Sequence, residues 1–221
     1  MEDLRYRHYQ QMKAILDELI ERYPALESCR EAILEAAGIM VDTYASGGKV
    51  LIAGNGGSAA DAEHIVGEMM KTFVIPKKLP EGYAEALVAA DPELGGVLKE
   101  HLQGALPTIA LDGHFALTTA YMNDCEPLLC FAQQVNGYGR RGDVLLAIST
   151  SGNSRNILYA AVAAKARGMK VIGLTGAREN KLERYADVCI KAPDTVTNRI
   201  QELHLPIYHA ICLMVEKQLF A

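Results

Sequence analysis

The chain opens on apolar positions at helical spacing: Leu4, Met12, Ile15, Leu16 and Leu19, up to the breaker Tyr23-Pro24. A second periodic stretch runs through Ile33, Leu34, Ala37, Ile39, Met40 and Tyr44. It stops at Ser46-Gly47-Gly48, where glycine suits a helix C-terminus. Residues 1–46 are therefore expected to be helical. The period then changes. Lys49-Val-Leu-Ile-Ala53 is a short apolar run closed by Gly54-Asn55-Gly56-Gly57-Ser58, the pattern of a buried strand and a tight loop. Ala59 to Met70 returns to helical period, with Asp61 and Glu63 expected in its first turns, where the helix dipole favours anions.

The same grammar recurs. Thr108–Leu111 leads into Asp112-Gly113. Asp143–Ile148 leads into Ser149-Thr-Ser-Gly-Asn-Ser154 and a helix carrying Ile157, Ala160, Ala161 and Ala164. Met169–Leu174 leads into Thr175-Gly176, Val188–Ile190 reads as the last strand, and Arg199–Leu219 as the last helix. Strands alternating with helices predict a parallel sheet with helices on both faces. One stretch breaks the alternation. Residues 76–107 hold Pro76, Pro80, Pro92 and Pro107 with Gly82, Gly95, Gly96 and Gly104. That stretch reads as a surface insertion, with short helices expected at Ala84–Ala90 and Leu98–Leu106.

Composition narrows the classes. A length of 221 residues favours one domain, and 50% hydrophobic content excludes wholesale disorder. A net charge of −5 argues against nucleic acid as a partner. No apolar run approaches the ~20 residues of a membrane span. Met1-Glu2-Asp3-Leu4-Arg5 is too polar for a signal peptide, so a cytoplasmic location is expected. Cys29, Cys125, Cys130, Cys189 and Cys212 contain no CxxC pair. They are expected to be buried small apolar side chains rather than a disulfide framework.

Two loops can hold a phosphate. Asn55, Gly56, Gly57 and Ser58 form one; Ser149, Thr150, Ser151 and Ser154 supply hydroxyls in the other, with Asn153 shaping it. Glycine lets backbone N–H groups approach an anion, and each following helix adds a positive N-terminus. Neither loop is a GxGxxG or Walker motif.

The titratable residues suit sugar chemistry. His64 and Glu68, at i and i+4, share a helix face. Gln201, Glu202, His204 and His209 cluster in the last helix, where Pro206 leaves the facing of His209 open. His8, His101, His114 and His204 read as core histidines. A phosphosugar carbonyl needs a carboxylate or imidazole to move a proton between neighbouring carbons, and a donor or metal to polarise the oxygen. Two His, one Glu and one Gln can also make a zinc site.

Gly54-Asn-Gly-Gly-Ser58, Ser149-Thr-Ser-Gly-Asn-Ser154 and Arg199-Ile-Gln-Glu202 together resemble the sugar-isomerase (SIS) domain family, in its phosphoheptose isomerase branch. The resemblance covers nearly the whole chain from Arg30. It implies a three-layer α/β/α sandwich with a five-stranded parallel sheet, flavodoxin-like, preceded by N-terminal helices, in a single domain over 1–221. It implies a homotetramer with active sites between subunits, and isomerisation of sedoheptulose 7-phosphate to an aldoheptose 7-phosphate for surface polysaccharide precursors such as lipopolysaccharide. By the same resemblance, His64, Glu68, Gln201 and His209 are zinc ligands, and Glu68 and His209 the catalytic acid/base pair. Asn55, Gly56, Gly57, Ser58, Asp112, Ser149, Thr150, Ser151, Ser154 and Gln201 are substrate contacts. Asn198 stands where the family often has an aspartate. A non-enzymatic branch, which binds the DnaA initiator, lacks the counterparts of Glu68 and His209, and this chain has both. The alternatives are such a non-catalytic phosphosugar-binding or adaptor protein, or an isomerase of another sugar phosphate.

Overall fold

The computed structural model describes residues 2–221, with side chains described from residue 10. Met1 lies outside the described residues, as do the side chains of Leu4 and His8. The strands are β1 (Val50–Ala53), β2 (Thr108–Ala110), β3 (Val144–Ile148), β4 (Lys170–Gly176) and β5 (Val188–Ala192). They form one parallel sheet in the order β2-β1-β3-β4-β5. Val50 is in register with Thr108 on one side and Val144 on the other. The helices are α1 (Glu2–Arg22), α2 (Arg30–Ala45), α3 (Gly57–Met70), α4 (Glu81–Ala90) and α5 (Pro92–His101). After β2 come α6 (Phe115–Asp124), α7 (Cys130–Tyr138), α8 (Arg155–Ala166) and α9 (Thr197–Phe220).

Helices cover both faces of the sheet, which is why β1 and β3 are buried along their whole length. Side-chain alternation sends Val50 and Ile52 to one core and Leu51 and Ala53 to the other. The first core holds Leu16, Ile33, Met40, Ile65, Ile211 and Met214, from α1, α2, α3 and α9. The second holds Val135, Ile157 and Ala161, from α7 and α8. The chain leaves β1 toward the first face and β3 toward the second. That reversal between adjacent strands opens a crevice at their carboxyl ends, the place where open α/β sheets bind ligands.

Several elements depart from the sequence expectations. The sequence pattern predicts no helix at α6 or α7, and α6 carries no strong period. α6 turns Phe115 out to solvent at 80% exposure, and Met122 and Leu117 are also exposed. α7 is nine residues long and buries Gln134 in its stripe beside Phe131 and Val135. α5 begins at Pro92, capped by the Asp91 carboxylate, which accepts N–H bonds from Glu93 and Leu94 at 2.9 and 2.7 Å. It ends at His101, so the helix expected at Leu98–Leu106 is cut short. Beyond it, the Gly104 and Leu106 N–H groups bond Lys77 O and Met69 O instead. α4 and α5 pack chiefly on each other, and Gly95 is their one buried residue. His101 is exposed at the end of α5 and His114 is half-buried, so neither is a core histidine. Cys29, Cys130 and Cys212 are buried as expected, Cys189 is half-buried and Cys125 is exposed.

His204 does belong to the core. It is fully buried, and its Nε2–H donates to Thr175 O at 3.2 Å. Burial pulls its imidazole from 6.5 down to about 4. The fold therefore holds the neutral ring, whereas the unfolded chain takes a proton below pH 6.5. This stabilisation is complete above pH 6.5 and is lost on acidification toward pH 4, where the folded state also protonates. The gap amounts to about 3 kcal/mol. Urea unfolding of wild type and His204→Gln across that range is expected to show a steeper acid loss in wild type. Parallel profiles would refute it.

Candidate active site

α3 begins two residues earlier than its periodicity predicts. Asp61 thus lies beyond the first turn, where its carboxylate faces the Tyr208 hydroxyl. A Cβ on Gly57 would lie 2.5 Å from Gln201 Nε2, so glycine is what lets the Gln201 side chain of α9 lie across this loop. Ser58 is buried in the first turn of α3. Asn55 and Asn156 exchange amide hydrogen bonds of 3.1 and 2.8 Å, which tie the loop after β1 to the head of α8.

The loop after β3 is closed by its own hydroxyls. Buried Ser149 donates to Ser154 Oγ at 3.1 Å. Gly152 turns the chain at φ +60° and bonds back to Ser149 O at 2.9 Å. Asn153 donates to Ser151 O at 2.8 Å and accepts the Lys181 N–H at 3.1 Å. Thr150, Ser151 and Asn153 line a pocket of about 160 Å³ together with Arg178, Thr197 and Ile200. Thr197 opens α9, so that helix adds its positive end to the pocket. Asp112, at the carboxyl end of β2, has a buried Oδ1 without a partner. Burial, and then Glu63, push its carboxyl above the ordinary range.

The second centre is the histidine–glutamate cluster. His64 Nε2 lies 3.2 Å from Glu68 Oε1, one turn along α3. α9 runs unbroken through Pro206 and brings His209 Nε2 to 3.4 Å from His64 Nε2. One ligand atom from each of the three lies within 4.8 Å of the others. The Glu68 side chain is only 12% exposed, and its Oε2 has no hydrogen bond, with Lys71 Nζ at 3.6 Å. Two imidazole nitrogens converging with a carboxylate oxygen suit a zinc ion. Burial, and then the neighbouring His64, hold the His209 imidazole below the ordinary histidine range. His209 also borders a depression formed by Ile15, Glu18 and Arg22 of α1, separate from the serine pocket.

Three site-supporting residues escaped the sequence reading. The Tyr208 hydroxyl is 3.0 Å from His64 Nδ1. Buried Lys77 donates to the carbonyls of Glu68 and Lys71 at 2.7 and 2.5 Å, at the end of α3. Buried Glu216 accepts the N–H groups of Phe73, Val74 and Ile75 at 2.8, 2.9 and 2.9 Å, and sits 3.4 Å from Lys77. Phe73 in turn stacks near His209, with ring centres 5.5 Å apart. A glutamate among Met214, Val215 and Ile211 was the available signal for this network.

The family profile described as SIS domain matches residues 7–85 and 84–176. The phosphoheptose isomerase of Rhodospirillum rubrum is 38% identical over 209 residues, covering 95% of this chain and 97% of that protein. The chain belongs to the SIS-domain family, in its phosphoheptose isomerase branch. Solved members of this branch share the architecture. The phosphoheptose isomerase of Francisella tularensis superposes with a TM-score of 0.73 at 31% identity, over 94% of this chain and 97% of that one. The Neisseria gonorrhoeae enzyme gives 0.69 at 33% identity, over 93% and 98%. The five-stranded parallel sheet is the SIS-domain sheet. Among the described residues, no helix is long and apolar enough to cross a membrane.

Proposed function

We propose that this chain is an aldose–ketose isomerase interconverting sedoheptulose 7-phosphate and D-glycero-heptose 7-phosphate. The carrying observation is the largely buried Glu68 carboxylate, 3.2 Å from His64 and clustered with the His209 imidazole. Ser58, Ser149, Thr150, Ser151 and Ser154 hold the phosphate with the helix N-termini. Asn55, Gly56, Gly57, Asp112 and Gln201 place the sugar. Glu68 takes a proton from C1, next to the C2 ketone, and an enediol(ate) forms. Glu68 then returns the proton to C2, while His209 moves the oxygen proton from the C1 hydroxyl to the C2 oxygen. C1 is left as the aldehyde. His64, Glu68, Gln201 and His209 are the residues that would hold zinc, which when bound polarises a carbonyl oxygen. A carboxylate whose lone pair serves a metal is the poorer base, so the two assignments of Glu68 compete.

The working protein is read as a cytoplasmic homotetramer with sites between copies, feeding heptose to surface polysaccharide. Two features support the shared site. The serine pocket and the cluster occupy separate depressions of one chain. An apolar groove of about 630 Å³ between α1 and α9, lined by Ala14, Ile15, Val74, Ile75 and Leu213, suits a second copy.

The test is an NMR assay with sedoheptulose 7-phosphate, with and without added zinc. New aldoheptose 7-phosphate signals are expected. A shifted phosphorus resonance without turnover would favour a non-catalytic phosphosugar-binding protein. Turnover confined to another ketose phosphate would replace the substrate.

A further inference from the structure

The end of α3 is held from outside the helix. Glu68 lies in its last turn, where the carbonyls find no N–H within the helix. Helix ends fray when nothing else bonds them. Here the buried Lys77 ammonium donates to the carbonyls of Glu68, Met69 and Lys71, at 2.7, 3.2 and 2.5 Å. An ammonium has three donors, and all three are used. The Glu216 carboxylate, 3.4 Å away and equally buried, balances the charge.

The residues between α3 and Lys77 are tied to α9. Lys77 N–H donates to Thr72 Oγ1 at 3.2 Å, which closes the bend. Glu216 accepts the N–H groups of Phe73, Val74 and Ile75. Glu216 stands seven residues beyond His209, two turns along and on the same face of α9. The Phe73 ring lies beside that of His209. Residues 72–77 are therefore a bridge. One end bonds the backbone of Glu68, and the other is bonded to the α9 face that carries His209. Apolar side chains of similar volume would join two helices at no loss of stability. What directed bonds to three carbonyls and three N–H groups add is a fixed distance and angle, which sliding apolar contacts do not set.

We propose that Lys77 and Glu216 are positioning residues, a buried bridge that holds the last turn of α3 against α9 and so sets Glu68 at its working distance from His209. The inference rests on the reading of Glu68 and His209 as the proton-transfer pair, and adds two residues that act only through them. A displacement near 1 Å at such a pair costs about 10²-fold in rate.

A double-mutant cycle on kcat tests this. Lys77→Met combined with Glu216→Gln removes both charges together, so neither is left buried alone. The combined variant is assayed with sedoheptulose 7-phosphate at a temperature where circular dichroism shows it fully folded. Its kcat is expected to fall about 10²-fold. KM should change little, because the serine pocket lies apart from the cluster. Adding Glu68→Gln should then cost far less than it does in wild type, since a displaced base has little left to lose. A merely structural role would leave the Glu68→Gln factor the same in both backgrounds. That equality, or a kcat near wild type in the combined variant, would overturn the proposal. Hydrogen exchange of the Glu68, Met69 and Met70 amides is the second readout and needs no turnover. Wild type should protect them as strongly as the middle of α3. The combined variant should lose that protection while β1 and β3 keep theirs. Free exchange of the last turn in wild type, or unaltered protection in the variant, would overturn the bridge. If wild type isomerises nothing, or keeps its kcat in Glu68→Gln, the proton-transfer reading fails, and the exchange result still decides whether the bridge holds the turn.

Discussion

Glu68→Gln is expected to lower kcat by about 10²–10⁴-fold, the usual contribution of a well-placed acid or base. The carboxamide matches the carboxylate in size and cannot accept the C1 proton at neutral pH. The position is 12% exposed and surrounded by His64, His209 and Lys71, so the substitution removes a charge without opening a cavity. Substrate binding through the serine loops is remote from it, so KM should change far less than kcat. The melting temperature should stay close to wild type. The rate is read by NMR, both in chelator-treated buffer and at saturating zinc, because weaker metal binding by the amide must be separated from loss of the base. A kcat near wild type in both conditions would remove Glu68 from the proton transfer.

Glu216→Ala carries the largest expected stability loss. Its side chain is 1% exposed and that of Lys77 is 0% exposed. Removing one partner of a buried ion pair costs about 3–5 kcal/mol, since the other charge is left without compensation. For a chain of this size that corresponds to roughly 6–20 °C in Tm. Three backbone N–H groups, of Phe73, Val74 and Ile75, would lose their acceptor at the same time. Burial alone would raise the Glu216 carboxyl, but those N–H bonds and Lys77 overcome it and hold it below its ordinary 4.5. Its stabilisation is thus present above pH 4.5 and is lost only as the pH falls through the lower folded-state value. Scanning calorimetry of wild type and variant should therefore show a wide Tm gap at neutral pH that narrows below pH 4.5. A gap under about 1 kcal/mol at neutral pH, the range of an exposed pair, would show that the pair is not buried in solution.

β1, β3 and β4 were legible because each is an apolar run ended by glycine or a hydroxyl residue. β1 before Gly54 and β3 before Ser149 are the clear cases. The i,i+4 pair of His64 and Glu68 was legible for a local reason: helix geometry alone puts those groups on one face. His209 joined them through the chemistry that a phosphosugar beside the phosphate loops needs, while Pro206 left its facing in the last helix open. α6 was illegible because its apolar residues do not face the core. Asp61 was misplaced by a helix that starts at Gly57, where only the absence of a side chain leaves room for Gln201. Lys77 and Glu216 belong to no local pattern. Glu216 meets Phe73 across 143 positions, and such pairing is decided by packing, not by sequence neighbourhood.

The α4–α5 hairpin gives the rest of the molecule almost nothing to depend on. Its side chains add nothing to either core, so most substitutions along it leave the folding energy alone. One internal rule survives at its crossing. Any side chain at Gly95 would run into the Leu87 carbonyl, so the two helices could no longer lie so close. Elsewhere along the hairpin a side chain can change without disturbing the packing of the two cores.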